Sequence, residues 1–558
     1  MIVGPACTAR REAYSGSNAH TRGRLTPEPT RALPDRVNVI RHCFGPPWAR
    51  RSWLRGPRGV DTSRGLHRDG EVQRAYDGWV RCHPDNDAMR AACYASTPVR
   101  IVQVNAVDDA GGGAAKVARG LFEAYRARGH ESWMAVGVKR TRDPHVVAIS
   151  HAPAARGWGR PWWHLHDRLR PFSGRASRTM AMTASPRKIV DEVRGVENFN
   201  FPGTRRLLNL TPKAADVVHV HNLHGAYFDL QALQWLSRAV PVVVTLHDSW
   251  MFTGHCAYFL DCNRWQHGCG SCPYLDVYPA VRRDSTDRNW LRKKEIYENS
   301  SLFVAAPSRW LLERAKVSIL SGGIVGTRLI PNGVDLTIYR PGDKASARER
   351  LGLKQDERLL LFSGFSPRSS SFKDFRTLRA AAEILGNRAS TDRVTLIVLG
   401  ETREAQMMRG VTIRFIGYET DETRVAAFYQ AADVYVHAAR VGAENHSLAV
   451  LEALACGLPV VATDVGGIPE QVKGLRPATS RSAYRSHRDD ATGILTPPGD
   501  PKALADAVAL LIEDDSLLSA MSVNAAEDAR RRFDLQTQVD AYLDWYGEII
   551  EGGARSTA

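Results

Sequence analysis

The chain has 558 residues, of which 43% are hydrophobic and 24% are charged, a balance typical of soluble globular proteins with two to four domains. Its formal net charge is +15, but residues 1–97 hold 16 Arg, no Lys and 9 acidic residues, so nearly half of the excess lies there. No apolar run approaches the roughly 18 residues that a membrane-spanning helix needs, and the N-terminus lacks the pattern of a secretory signal. We therefore expect a cytoplasmic protein.

Residues 1–97 are rich in Gly, Pro and Ser and show neither a helical nor a strand period. We expect a basic, disordered N-terminal extension, or an upstream translation artefact with Met89 as the true start. A basic arm that contacts nucleic acid or an anionic membrane is the alternative. Because only this stretch points to nucleic acid, we expect no nucleic-acid partner.

A strand–helix alternation begins near Val99 and predicts a first Rossmann-like domain over residues 98–335. A buried strand at 99–105 is followed by the glycine run 111–113 and by a helical pattern that stops at Gly129. Further apolar strands are expected at 132–138, 217–220, 242–246 and 302–305.

The turn-rich segment 330–342 predicts a linker, after which the alternation restarts and predicts a second domain over residues 336–534. Strands are expected at 358–363, 395–399, 411–416, 434–437 and 459–462, with helices at 374–385, 422–431 and 449–455. The last segment, 535–558, is expected to form a helix that crosses back to the first domain. The sequence thus predicts an α/β protein with two doubly wound domains facing a central cleft, where such sheets bind ligands.

The segment 151–215 is less regular and interleaves Trp158, Trp162, Trp163 and Phe172 with several arginines. One interpretation is a surface that associates peripherally with a membrane, since aromatic and cationic residues anchor together at lipid interfaces. The other is an insertion that packs on its own domain. Both stay open at this point.

Two glutamates stand eight residues apart in the string that runs from Glu444 to Glu452 and on to Asp464–Glu470. Between them a helix is expected to begin, and the backbone N–H groups of a helix N-terminus bind anions such as a diphosphate. The two carboxylates can then accept hydrogen bonds from hydroxyl groups on either side. Spacing alone does not separate this arrangement from two solvated glutamates.

The whole string resembles the Glu-x7-Glu motif of the retaining glycosyltransferases of family 4, which have the GT-B fold. Further motifs follow the order of that family: 245–248 (TLHD), 307–310 (PSRW), 330–335 (IPNGVD), 415–418 (FIGY) and 431–434 (AADV). The residues around His247 and Cys256 are also similar to a subgroup that makes colanic acid and other exopolysaccharides. The resemblance runs from about residue 99 to about residue 550.

The resemblance implies a nucleotide-diphosphate sugar as donor and a glycan or lipid-linked acceptor in polysaccharide biosynthesis. Glu444 would hold hydroxyls of the transferred sugar, Glu452 the ribose, and His247 would lie beside the donor sugar. Gly112, Gly113 and Gly417 would approach the donor closely. The diphosphate would be bound by the backbone amides of the residues that open the helix: Asn445, His446, Ser447 and Leu448.

The family also places an Arg and a Lys after the first strand of its second domain, to neutralise the leaving diphosphate. Lys373 fits the Lys, but Phe365 stands where the Arg often is, which leaves Arg368 as the candidate. This departure motivates an alternative, a catalytically silent sugar- or nucleotide-binding protein on the same fold. Fixed cations and amides can stabilise the leaving group without a metal, so no cofactor is expected for catalysis.

Four cysteines cluster directly after the His247 motif, at Cys256, Cys262, Cys269 and Cys272. Four thiols that end in Cys-x-x-Cys can bind a structural zinc ion, whereas disulfides or packed free thiols are the alternatives. On the same side we expect His224 and Asp248 to reach the acceptor.

Overall fold

The fold is described from a computed structural model over residues 98–109, 111–364, 370, 372–388, 394–408, 410–475 and 489–556. The expected N-terminal extension at 1–97 and the candidate donor ligand Arg368 lie outside these residues. Within them, no helix is both long enough and apolar enough to cross a membrane.

The first sheet has seven parallel strands in the order β3-β2-β1-β4-β5-β6-β7. Its strands are β1 (Arg100–Val107), β2 (Glu131–Val138), β3 (Val146–Ala148), β4 (Val217–Val220), β5 (Val242–Thr245), β6 (Leu302–Ala306) and β7 (Ile324–Leu329). The helices around it are α1 (Gly113–Ala127), α2 (Arg160–Leu169), α3 (Gly174–Ala184), α4 (Arg187–Arg194), α5 (Ala232–Ala239), α6 (Thr286–Glu298) and α7 (Arg309–Lys316). Strands β4 and β5 are Val-rich and fully buried, as expected for a parallel sheet with helices on both faces.

The second sheet has eight strands in the order β10-β11-β9-β8-β12-β13-β15-β14, all parallel except for the β10–β11 pair. Its strands are β8 (Arg358–Ser363), β9 (Val394–Leu399), β10 (Gln406–Met408), β11 (Val411–Ile416), β12 (Val434–His437), β13 (Val460–Thr463), β14 (Gly474–Leu475) and β15 (Gly493–Thr496). The helices are α8 (Lys344–Leu351), α9 (Phe375–Gly386), α10 (Glu422–Ala431), α11 (Leu448–Ala455), α12 (Ile468–Gln471), α13 (Pro501–Glu513) and α14 (Asp515–Arg532).

The final helix, α15 (Leu535–Ser556), packs on the first sheet although it follows the second. Tyr542 and Tyr546 are fully buried there, in one apolar cluster with Ile101 of β1. The Tyr542 and Thr245 hydroxyls lie 2.6 Å apart, and the Tyr546 hydroxyl lies 2.7 Å from His219 Nδ1. The two domains are therefore joined by α15 as well as by the linker.

The strand order of each sheet reverses at its centre, between β1 and β4 in the first and between β8 and β12 in the second. Open parallel sheets bind ligands beyond the carboxyl ends of the strands at such a point. The expectation of two Rossmann-like domains is confirmed. The segment 151–215, which looked irregular, holds the three helices α2, α3 and α4.

Candidate active site

One cavity of about 820 Å³ lies between the carboxyl ends of the two sheets and is lined by both domains. Pockets of this size are typical of small-molecule sites. The lining includes these predicted residues: Gly112, Gly113, His224, His247, Asp248, Lys373, Glu444, Asn445, His446, Ser447, Leu448 and Glu452. The structure thus brings together almost all the predicted residues that it describes around the cleft.

Glu444 forms a buried ion pair with Lys373 at one end of the cavity. His437, the last residue of β12, completes the group, with its Nε2 3.4 Å from both Glu444 Oε1 and Lys373 Nζ. Burial alone raises the pKa of Glu444, but Lys373 and His437 outweigh it and lower that pKa to about 2. Glu444 is therefore ionised at neutral pH.

Glu452 lies in α11 and accepts hydrogen bonds from both domains. Lys116 of α1 donates to its Oε1 at 2.7 Å, and Tyr429 of α10 donates to its Oε2 at 2.8 Å. Lys116 Nζ also lies 2.8 Å from the Tyr339 hydroxyl and 3.0 Å from Glu422 Oε1. Burial alone lowers the pKa of Lys116, but the two carboxylates outweigh it and raise that pKa. Lys116 is thus a partly buried cation in the cleft that the sequence did not reveal.

Two glycines after β13 fix the backbone of the Glu444 loop. A Cβ on Gly466 or Gly467 would lie less than 2 Å from the carbonyl oxygen of Glu444 or Asn445, and Gly466 has a left-handed φ of 59°. The Gly467 N–H donates to the Glu444 carbonyl at 3.2 Å. Gly466 and Gly467 therefore allow the backbone after β13 to approach the backbone of Glu444 and Asn445 closely.

The side chains of Asn445 and His446 are used inside the protein. Asn445 Nδ2 donates to the carbonyl oxygens of Leu246 (3.1 Å) and His247 (3.3 Å), which ties the Glu444 loop to the end of β5. The His446 ring packs against Phe533, and its carbonyl accepts from Asn332 Nδ2 at 3.2 Å. The Asn445 side chain and the His446 carbonyl therefore link the second domain to the first, and diphosphate binding by the backbone amides of this segment stays a prediction.

The N–H of Ser447 donates to Gln471 Oε1 at 2.9 Å, so it is not free for a ligand. Helix α11 begins at the next residue, Leu448, and both Leu448 and Ala449 line the cavity. The first N–H groups of a helix lack partners within the helix and carry partial positive charge. The start of α11 therefore stays the candidate anion-binding element, without the N–H of Ser447.

His247 follows β5 and is positioned by a hydrogen-bonded chain behind it. Its Nε2 lies 2.9 Å from His221 Nδ1, and His221 Nε2 lies 2.9 Å from the Gln103 amide. When the Gln103 amide nitrogen donates to both the Ala118 carbonyl and His221 Nε2, the proton of His221 lies on Nδ1 and is donated to His247 Nε2. The proton of His247 is then on its Nδ1. Burial lowers the pKa of His247 to about 4 against the opposing effect of Asp248, so the imidazole is neutral at pH 7.

The acceptor side of the cavity carries a second histidine–carboxylate pair. His224 Nε2 lies 2.8 Å from Asp248 Oδ2, and His224 Nδ1 lies 3.2 Å from the Tyr278 hydroxyl. Burial alone raises the pKa of Asp248, but His224 outweighs it and the pKa is lowered. The Tyr258 ring contacts Phe372 of the second domain at a centroid distance of 4.5 Å. Tyr258 and Tyr278 both line the cavity.

The glycine run meets the second domain at the start of α1. A Cβ on Gly113 would lie 3.8 Å from Leu448 Cδ1, and Gly112 has a φ of 135°. Gly417, in contrast, does not line the cavity, and a Cβ there would lie 2.6 Å from Thr402 Oγ1. Gly417 therefore packs against a side chain of its own domain and not against the cavity.

The four clustered cysteines lie in the long loop between β5 and α6, with their thiols free. Among the described residues, the one group of three metal-ligand atoms that converges within 4.8 Å is His151, His166 and Asp167. Asp167 is already hydrogen-bonded to Ser150 Oγ (2.6 Å) and His166 Nδ1 (3.0 Å). In the same group His151 Nδ1 accepts a hydrogen bond from the Gly203 N–H at 3.1 Å, whereas the buried His151 Nε2 has no hydrogen-bond partner.

Two Rossmann-like domains that share a cavity between the carboxyl ends of their sheets define a protein of the GT-B type. The family model for group 1 glycosyl transferases matches residues 357–514. The chain is 30% identical to D-inositol 3-phosphate glycosyltransferase 1 of Catenulispora acidiphila, over 61% of this chain and 74% of that protein. It is 27% identical to the colanic acid biosynthesis glycosyl transferase WcaC of Escherichia coli, over 44% of this chain and 59% of that protein.

Among solved structures, sucrose-phosphate synthase of Thermosynechococcus elongatus is similar, with a TM-score of 0.51 and 20% identity. The match covers 81% of this chain and all of that chain, and it supports the fold. The chain belongs to the group 1 glycosyltransferases and is a hexosyltransferase-type enzyme.

Proposed function

We propose that this enzyme moves a sugar, with retention of configuration, from a nucleoside-diphosphate donor to a hydroxyl group of a glycan or lipid-linked acceptor in polysaccharide biosynthesis. The observation that carries the proposal is the pair of Lys–Glu contacts in one cavity, the buried Lys373–Glu444 and the partly buried Lys116–Glu452. Each places a carboxylate able to accept from hydroxyls beside a cation able to attract phosphate.

The donor fits between these pairs. Glu452 accepts hydrogen bonds from the ribose and Glu444 from the transferred sugar, while the diphosphate lies at the start of α11. The ribose shares Glu452 with Lys116, whose ammonium group can also reach the phosphates. This arrangement uses Lys116 as a second cation beside the diphosphate, because each of the two lysines already has a carboxylate partner.

The reaction breaks the bond between the anomeric carbon and the diphosphate oxygen, so that oxygen gains negative charge while the sugar gains positive character. The start of α11, Lys116 and Lys373 stabilise the leaving diphosphate. The neutral His247 donates a hydrogen bond to the transferred sugar without placing a positive charge beside it. We assign no nucleophile: the acceptor hydroxyl attacks from the face of the leaving group, whose phosphate oxygen takes its proton.

The acceptor end favours an uncharged hydroxyl compound. It carries the buried Asp248 carboxylate and two tyrosines, and the cavity's lysine and arginine residues in the described part of the chain are Lys116 and Lys373 alone. A phosphorylated acceptor, such as the one in the name of the Catenulispora relative, would meet like charge at Asp248. A glycan, as the name of WcaC suggests, would pack on Tyr258 and Tyr278.

The insertion with α2, α3 and α4 supports delivery of a lipid-linked acceptor at a membrane face. Phe172 is 87% exposed and Trp158 is 61% exposed, and exposed Ile189, Val190 and Val193 lie on α4. Exposed arginines surround them at 160, 168, 175, 187 and 194. Such a mixture of apolar and cationic side chains binds anionic lipid surfaces.

Hydrolysis of the donor in the absence of acceptor distinguishes the proposed transferase from the alternative, a catalytically silent binding protein. Protein is incubated with UDP-, GDP- and ADP-sugars, and the released nucleoside diphosphate is measured. We expect one donor to be hydrolysed, with a fall of about 10- to 100-fold in Glu444→Gln from loss of a charged hydrogen bond and no fall in the exposed Glu404→Gln. Thermal stabilisation by a donor without hydrolysis in wild type would support the silent binder, and an inverted product anomer would refute retention.

A further inference from the structure

The loop between β5 and α6 holds five metal-binding side chains around one small cavity. His255, Cys256, Cys262, Cys269 and Cys272 all line this cavity, whose volume is about 20 Å³. That volume is close to what one small ion or water molecule occupies. The cavity is separate from the proposed catalytic site, and none of its residues has a role in donor binding.

His255 is oriented as a metal ligand. Its Nδ1 lies 2.8 Å from the carbonyl oxygen of Pro279, which fixes the proton on Nδ1, and its Nε2 lone pair lies 3.5 Å from Cys272 Sγ. Zinc bonds of about 2.0 Å to nitrogen and about 2.3 Å to sulfur, at a tetrahedral angle, separate the two ligand atoms by about 3.5 Å. A carbonyl partner on the other ring nitrogen is the usual outer contact of a zinc-bound histidine.

The backbone around the Cys-x-x-Cys pair is held in an unfavourable conformation. Four consecutive residues, from Gly268 to Ser271, have positive φ, including Cys269 at 54° and Ser271 at 45°. Non-glycine residues are strained in this region and persist only where other contacts fix them. The Gly254 N–H donates to Cys269 Sγ at 3.2 Å, a contact that stabilises a thiolate.

We propose that this loop binds one zinc ion through His255, Cys269, Cys272 and a third thiol from Cys256 or Cys262. No three of these donor atoms lie within 4.8 Å of one another in the described structure, so binding requires rotation of the thiol side chains.

The ion would fix the acceptor wall of the catalytic cavity. Tyr258 and Tyr278 belong to the same loop and line that cavity. Leu260 of the loop meets Gly442 of the second domain, where a Cβ would lie 2.0 Å from the Leu260 carbonyl oxygen. Loss of the ion should therefore loosen acceptor binding and leave the donor pairs Lys373–Glu444 and Lys116–Glu452 intact.

The test is the metal content of the full chain, purified without a histidine tag and measured by elemental mass spectrometry. We expect about one zinc per chain in wild type and in the control Cys456→Ser, whose thiol is buried in the second domain. Cys272→Ser and His255→Gln should lose most of it. Because these variants could unfold, a second measurement follows zinc release from wild type during titration with a mercurial reagent.

Metal-free wild type purified from zinc-supplemented cells, or disulfides among these cysteines in alkylation mass spectra, would overturn the proposal. Full zinc retention in Cys272→Ser would overturn it too. A zinc-free His255→Gln that stays folded and binds donor normally, but has a raised acceptor KM, is the expected functional result. Metal content is independent of activity, so failure of the proposed reaction would not affect this test.

Discussion

Replacement of Lys373 by Met tests the buried ion pair that prepares the site. Lys373 and Glu444 are each about nine-tenths buried, so removal of the ammonium group leaves a carboxylate without its main partner in a low-dielectric site. The pKa of Glu444 is lowered from 4.5 to about 2, and about 2.5 pKa units correspond to about 3 kcal/mol. We expect Lys373→Met to lose about that much free energy of unfolding at pH 7.

The free energy of unfolding should also depend on pH in a direction set by the pKa of Glu444. In wild type the lowered pKa of Glu444 contributes stability that is full above about pH 4.5 and is lost as the pH falls through about 2. In Lys373→Met, burial is no longer opposed by the lysine, so the pKa of Glu444 rises and the Glu444–His437 pair takes up a proton as the pH falls from 7. The difference between variant and wild type should therefore shrink towards pH 4.5.

Urea unfolding measured at several pH values checks both statements. Lys373→Met/Glu444→Gln should recover most of the loss, because neither charge is then buried alone. Lys502→Met, which removes an exposed helical ion pair with Asp506, should change stability by less than about 0.5 kcal/mol. A Lys373→Met protein within about 0.5 kcal/mol of wild type at pH 7 would refute the reasoning.

Three further outcomes follow from the site. Lys116→Met should weaken donor affinity, measured by calorimetry, about tenfold, because the second cation of the cleft is lost. An unchanged affinity would show that Lys116 does not contact the donor. The rate of donor hydrolysis should show no imidazole titration between about pH 5.5 and 8, since the pKa of His247 is about 4; a limb near pH 6.5 would contradict its neutral role. Glu470→Ala should lower the free energy of unfolding by about 1 kcal/mol, because Glu470 accepts hydrogen bonds from the first N–H groups of α7 across the domain boundary. An unchanged midpoint of urea unfolding would argue against this helix cap.

The periodicity of the sequence predicted the central strands of both sheets because buried parallel strands are continuous apolar runs that need no long-range information. It missed five strands that lie at or next to sheet edges: β3, β7, β10, β14 and β15. The three helices in 151–215 escaped because their short amphipathic patterns are interrupted by prolines at 161, 171 and 186.

The site was predicted where one motif holds all the information, as with Glu444 and Glu452. Lys116 was missed because its partner Glu452 is 336 residues away, and only the meeting of α1 with α11 reveals the pair. His437 was missed because a histidine at the end of a buried strand gives no signal until Lys373 and Glu444 are placed beside it. The motif also gave no sign that the Asn445 side chain and the His446 carbonyl make hydrogen bonds to the first domain.

The central claim is that the cavity between the domains binds a nucleoside diphosphate, with Glu452 on the ribose. Calorimetric titration of wild type and Glu452→Gln with UDP, GDP and ADP tests it most directly. The account predicts that one of the three binds with a stoichiometry of about one and that the substitution weakens it about tenfold or more. Equal affinity of both proteins for that nucleotide, or no binding of any, would contradict it.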